Sequence, residues 1–483
     1  MTQAPTIEAG TQWIGGQSQT SISDCDVVVR DPADESTLAV VPRGSAQEAD
    51  VSLRAASTAQ PDWARRGVSD RGGLLREAAE RLTEHADTIA ELLVRENGKP
   101  IAAAQAEIAL AIEWINSIVE LGIHQTGRCV PTEHSQLLFQ RVTPRGVAVC
   151  LNTWNAPVIA AIEMAAANLI VGNTVVLKTS ERAPLATRLA FESCFDHLPS
   201  GTLNVVSGDG PNMGAPLVDH AQTDVVCFIG SVDVGRRIGE AAGRRLRKAV
   251  LELGGKDALI IDDTVDLKAA AAFAGASCFA NSGQICTSTE RIYVLRTVHD
   301  RFVRELCDVA AAIQVGPGLD PATQMGPMID QAILAHVESQ VADAVKQGAE
   351  VKIGAQRLDR PGYFYPPTVL TRVEDDMPLM CEETFGPVAP IAPVDSMEEA
   401  IQRTNRSQFG LATIVYTESA PTAHQMIERL DTGMIRINAP RGQRTQCCGE
   451  PTGDSGIGFG HGPEFLRELV YRKSIQWRAR LDG

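Results

Sequence analysis

The chain reads as an α/β protein with two successive sheets, each covered by helices on both faces. Two observations predict this. Between residues 147 and 253, short β-branched apolar runs alternate strictly with stretches of helical period. After Gly254-Gly255 the alternation restarts at Ala258–Ile261 and continues to about residue 445, which predicts a second α/β unit.

The elements follow in order. Residues 46–126 read mostly as helix, because segments such as 74–82 repeat apolar residues three and four apart, and Gly98-Lys99-Pro100 supplies a stop. Residues 127–146 change texture, and Ser135 to Thr143 suggests an extended hairpin strand. Strands are then expected at Val147–Leu151, Thr174–Leu177, Leu203–Val206, Asp224–Ile229 and Ala249–Leu253. Helices are expected between them at 158–171, 184–197, 212–220 and 232–245. The longest apolar stretch, Pro157 to Val171, is broken by Glu163 and Asn168, so it is expected as a buried helix and not a membrane span. No internal repeat or low-complexity segment stands out.

Composition narrows the class. With 483 residues, 44% hydrophobic and 22% charged, the chain can fill two or three globular domains. Its net charge of −16 repels nucleic acid and anionic membranes, so neither is expected as a partner. The eleven cysteines lack framework spacing, and Met1 to Pro5 open no basic, apolar leader; both point to a reducing cytoplasm.

Several apparent motifs fail. Gly453-Asp454-Ser455-Gly456 superficially resembles a serine-protease loop, but Ile457 stands where another glycine is needed. Gly254-Gly255-Lys256-Asp257 lacks the Ser/Thr and upstream glycine of a phosphate loop. The nine histidines show no zinc spacing, so no metal is expected. No G-x-G-x-x-G follows a strand.

Four segments carry chemistry together. They are Asn152-Thr153-Trp154-Asn155-Ala156-Pro157, Phe228-Ile229-Gly230-Ser231-Val232-Asp233-Val234-Gly235, Leu251-Glu252-Leu253-Gly254-Gly255 and Asn281-Ser282-Gly283-Gln284-Ile285-Cys286-Thr287. Singly, each has a bland explanation: a buried small cysteine, a strand-end carboxylate, a turn before proline, a packing glycine. In combination they resemble the aldehyde dehydrogenase superfamily along nearly the whole chain. Lys178-Thr179-Ser180-Glu181, Glu383-Thr384-Phe385-Gly386-Pro387-Val388 and Ile437-Asn438 extend the match, and Glu252 and Cys286 keep the family spacing of 34 residues.

The resemblance implies a Rossmann-like cofactor domain (1–126 and 147–253) and an α/β catalytic domain (254–445). A small β oligomerisation element (127–146 and 464–483) implies a homodimer or homotetramer. It implies oxidation of an aldehyde to a carboxylic acid with NAD(P). Cys286 is the expected nucleophile, Asn155 with the Cys286 N–H the oxyanion holder, and Glu252 the base that activates water on a thioester. Trp154, Lys178, Ser180, Glu181, Gly230, Ser231, Leu253, Gly254, Glu383 and Phe385 are the expected cofactor contacts. A carboxylate at Glu181 favours NAD, and Ser180 beside it leaves NADP open. A CoA-acylating enzyme is disfavoured by Glu252, and a non-catalytic relative by the intact Asn155, Glu252 and Cys286.

The sequence also departs from the family. Gly460 stands where many relatives carry glutamate, and Met164 where a lysine is common, so a proton relay built on that pair is not expected. Positions that form an aromatic box in relatives are Ala156, Glu163, Ala280, Gln443 and Gly449. With Arg441 and Arg444 on the adjoining loop, they suggest a substrate with a polar or anionic group. Ser288-Thr289-Glu290-Arg291 is similar to aromatic-aldehyde members, which keeps an aromatic substrate as the alternative.

Overall fold

The computed structural model describes residue 8 and residues 10–132, 136–439 and 446–478. Its first sheet has eight strands, in the order Gln17–Thr20, Thr11–Ile14, Leu203–Val206, Thr174–Lys178, Val147–Leu151, Val225–Ile229, Lys248–Glu252, Gly456–Ile457. The five central strands run parallel, and each edge is closed by antiparallel pairing. Val147–Leu151 and Thr174–Lys178 are buried at every residue, because helices cover both faces; this is why they read as unbroken apolar runs.

The helix Pro157–Val171 lies on one face, opened by a proline in its first turn and closed by Gly172 at φ 98°. Three long helices, Ala46–Arg65, Val68–Asn97 and Ile101–Ile123, account for the helical texture of 46–126. The first opens on a capping box, in which Ser45 accepts from the Glu48 N–H and donates to its carboxylate.

The second sheet runs Glu350–Ile353, Thr368–Thr371, Val388–Val394, Thr289–Leu295, Asp257–Ile261, Ala412–Tyr416, Met434–Ile437 and is parallel except at its first pair. A third, three-stranded sheet pairs Val470–Arg478 with Gln136–Pro144 in nine-residue antiparallel register. No described helix is long and apolar enough to cross a membrane.

Two expected elements differ. The helix foreseen at 212–220 is a wide π turn, Gly210–Gly214, followed by only Ala215–Asp219. Asp209 accepts from the Asn212 N–H and, with glycine at both ends and Pro211 inside, fixes a local turn in place of a regular first turn. The hairpin strand runs Gln136–Pro144, with Ser135 outside the described residues.

Candidate active site

The expected site residues gather where the strands of the first sheet end. Asn155, Lys178 and Glu252 each lie at or just beyond the C-terminal end of a parallel strand, the side on which open α/β sheets bind ligands. Cys286 comes from the second sheet's side, between a one-turn helix at Ala280–Gly283 and the strand Thr289–Leu295.

The nucleophile loop is held by backbone shape. Asn281, Ser282 and Gly283 lie consecutively in the left-handed region, at φ 50°, 57° and 72°. A Cβ on Gly283 would stand 2.0 Å from the Gly386 carbonyl oxygen, so only glycine fits. The buried Gln284 side chain donates to the Asn281 carbonyl and accepts from the Ile329 N–H. Burial, then the carboxylates of Glu252, Asp257 and Glu383, push the Cys286 thiol up to about 12.

Asn155 is buried and its amide is oriented twice. Thr153 Oγ1 donates to Asn155 Oδ1 at 2.8 Å, and Asn155 Nδ2 donates to the Gln284 carbonyl at 3.0 Å. An amide nitrogen carries two N–H groups, and the Gln284 carbonyl takes one of them. Residues given no site role in the sequence reading, from two helices and the turn between them, fix the loop from behind. Lys99 Nζ donates to the Asn155 carbonyl at 2.9 Å and pairs with the buried Glu107, whose other oxygen accepts from the Val158 N–H. Asn97 Nδ2 donates to the Trp154 carbonyl at 2.8 Å. Their only sequence signal was the helix stop at Gly98.

Glu252 Oε1 accepts from the Gly460 N–H at 2.9 Å, and burial raises its carboxyl above the ordinary range. Next in sequence, His461 contacts the Glu163 carboxylate through Nδ1 and meets Trp114 edge-on at 5.4 Å. Glu163 is thus a partner of an imidazole and not a bare wall of the tunnel. Gly449 differs from expectation too: a Cβ there would meet the Gly433 carbonyl oxygen at 1.7 Å, so this glycine permits close backbone packing. Met164 is buried and Ala156 precedes the first turn of its helix, while Gln443, Arg441 and Arg444 lie outside the described residues.

All ten expected cofactor contacts line one cleft of about 900 Å³, which also reaches Asn155, Glu252 and Cys286. Ser231 caps the helix Val232–Arg244, so free backbone N–H groups face the cleft there. Lys178 Nζ lies 3.2 Å from Glu181; burial would raise the Glu181 carboxyl, but Lys178, a backbone hydrogen bond and Arg182 together lower it. Gly254 must lack a side chain, since a Cβ would stand 2.5 Å from Glu383. Glu383 accepts from the Gly255 N–H, and burial pushes its carboxyl up to about 8. Behind it the buried Glu290 accepts from Lys256 and from the Thr384 and Phe385 N–H groups. The sequence reading quoted Lys256, Gln284 and Glu290 without giving them these bracing roles. Arg182, over the Trp154 ring at 5.7 Å, and an apolar slot of Val218, Val234, Ile238 and Ala241 were also missed.

Comparison with known proteins gives the family. The model of the aldehyde dehydrogenase family matches residues 18–475. Lactaldehyde dehydrogenase of Escherichia coli (strain K12) is 35% identical, over 96% of this chain and 97% of its own. The 3,6-anhydro-alpha-L-galactose dehydrogenase of Vibrio sp. (strain EJY3) is 34% identical, over 90% of this chain and 91% of its own. The NAD+ complex of an aldehyde dehydrogenase from Bacillus cereus superposes with a TM-score of 0.95 at 32% identity, covering 98% of this chain and 97% of that one. With a family model spanning nearly its full length and a cleft that joins a half-buried cysteine to the groove of expected cofactor contacts, the chain belongs to the aldehyde dehydrogenase family.

Proposed function

We propose that this NAD(P)-dependent aldehyde dehydrogenase acts through Cys286, Asn155 and Glu252, and that NAD is its preferred cofactor. The observation that carries the reading is the convergence of these three side chains on one end of the cleft whose other walls are the expected cofactor contacts. The Cys286 sulfur, as thiolate, bonds to the aldehyde carbon, and the carbonyl oxygen takes up the negative charge. The free N–H of Asn155 and the Cys286 backbone N–H hold that charge, a contribution of about 2.7–4 kcal/mol per donor. NAD held along the cleft by Ser231, Lys178, Glu181 and Glu383 would supply the hydride acceptor for that carbon, whose oxidation leaves an acyl group on the Cys286 sulfur. Glu252 then takes a proton from water as its oxygen bonds to the acyl carbon and the carbon–sulfur bond breaks. The product is a carboxylic acid.

Residues suited to the cofactor are present: a helix N-terminus at Ser231 for the pyrophosphate, Lys178 and Glu181 for the adenine ribose, and Glu383 for the nicotinamide ribose. Glu181 supports NAD, because a ribose phosphate would meet its carboxylate. The substrate we infer is an aldehyde bearing polar groups. The charged Glu163–His461 contact occupies a position where relatives carry an aromatic ring, and the relatives named above act on lactaldehyde and on an anhydro sugar. A homodimer or homotetramer is supported by the Val470–Arg478 strand, an outer edge with Tyr471 and Trp477 exposed. A cytoplasmic setting is supported by cysteines without framework spacing.

Stopped-flow measurement with lactaldehyde and NAD tests the mechanism. Glu252→Gln should release NADH in a burst near one equivalent per site and then stall, because the thioester forms but is not hydrolysed. Loss of the burst itself would remove Glu252 from the role of base.

A further inference from the structure

The deacylating base must shed a proton once per turnover, and its carboxylate is buried. Met164 on the helix Pro157–Val171 and Gly460, whose N–H reaches Glu252, offer no side chain that can accept that proton. One residue along each segment stand Glu163 and His461, in contact through Nδ1 and Oε1 and 298 residues apart in sequence. The segment that brings His461 in is the one whose Gly460 N–H holds Glu252 Oε1.

We propose that the Glu163–His461 pair is the proton acceptor for Glu252 during thioester hydrolysis, and that it sets the charge state in which Glu252 waits. The inference rests on Glu252 being the base.

The step balances without any further reactant. Water's oxygen bonds to the acyl carbon, its proton goes to Glu252, and sulfur leaves as thiolate. The proton then leaves Glu252 for the pair: neutral His461, its Nδ1–H held by the Glu163 carboxylate, takes it at the other ring nitrogen. The pair ends as imidazolium beside carboxylate, and Glu252 is again an anion.

The surroundings suit such an exchange. Glu163 comes from the helix Pro157–Val171, Glu252 from the strand Lys248–Glu252 and Cys448 from the segment beside Gly462; these titratable groups face His461, while Trp114 bounds its ring. Burial, with Glu252 adding to it, pushes Glu163 up to about 7 despite the opposing pull of His461. Burial would lower His461, but the charge and hydrogen bond of Glu163 together with the charge of Glu252 raise the imidazole above its ordinary value. Both shifts run upward, so the pair favours holding a proton.

The test compares His461→Gln and Glu163→Gln with the unchanged enzyme, using lactaldehyde and NAD. Both should keep the NADH burst at its normal rate and amplitude. Steady-state kcat should fall at least tenfold, and Glu163→Asp should restore part of it. In His461→Gln the acid limb of the kcat–pH profile should move to higher pH, because the cation that favours ionised Glu252 is gone. Unchanged kcat and pH profile in both variants would overturn the proposal. So would equal losses in burst and kcat, since the pair would then only hold the fold. Should His461→Gln fail to fold, the near-isosteric Glu163→Gln decides by the same measurements. Glu252→Gln run alongside separates the two readings: without a burst followed by a stall, it is the base assignment that falls.

Discussion

The backbone N–H of Gly460 meets Glu252 Oε1 at 2.9 Å, and a Cβ at 460 would lie 2.3 Å from Glu252 Cγ. The glycine is therefore a steric requirement of the base. Gly460→Ala is expected to displace the carboxylate, keep the NADH burst and lower kcat on the order of 10²-fold, the scale of a lost general base. Rapid-quench or stopped-flow comparison of burst and steady state checks it; equal wild-type rates would mean that the carboxylate relaxes freely.

Asn155 holds its amide between Thr153 and the Gln284 carbonyl, so its spare N–H points with little freedom. Asn155→Ala should lower kcat by about 10²–10³-fold with KM little changed. A rise confined to KM would make Asn155 a positioner of substrate alone.

Burial and the neighbouring carboxylates push the Cys286 thiol up to about 12, so little thiolate exists at neutral pH. A raised thiol value means that reactivity grows as pH climbs toward it. Iodoacetamide labelling of Cys286, followed by peptide mass spectrometry, should therefore accelerate about tenfold per pH unit from 7 through 9. A plateau below pH 9 would place the thiol far lower.

Cofactor choice is predicted to turn on Glu181. The kcat/KM ratio should favour NAD over NADP, and Glu181→Ser should narrow it. An unchanged enzyme that prefers NADP would refute the ribose reading.

The buried pair Lys99–Glu107 braces the Asn155 loop. Lys99→Met strands a buried carboxylate and should cost roughly 3–5 kcal/mol of stability, read as a lowered thermal midpoint. Lys99→Met with Glu107→Leu should recover much of the loss. A single variant as stable as the parent would show that Glu107 finds another partner.

Much of this was legible in sequence because it is local. Val147–Leu151 and Leu203–Val206 declared themselves as strands, since burial on both faces leaves only apolar residues. The motifs carrying Asn155, Glu252 and Cys286 sit at strand ends or in a strained turn, where glycine, proline and asparagine mark the backbone. What stayed hidden depends on distance along the chain. Nothing near Glu163 announces His461, and nothing near Lys99 announces Asn155; each pair exists only after the helices pack. The π turn at Gly210–Gly214 was missed because apolar spacing does not distinguish a widened turn from a regular one.

The strand Gly456–Ile457 returns to the first sheet and lies against Lys248–Glu252, more than two hundred residues after that strand was made. It delivers Gly460 and His461 to a base whose own sheet is otherwise complete by residue 252. During synthesis, then, the nucleophile and the groove exist well before the base acquires its neighbours. A nascent chain stopped short of residue 456 would carry every motif of the enzyme and still lack the setting of Glu252. On the proposed role of Glu252, hydrolysis therefore depends on the segment that follows residue 455.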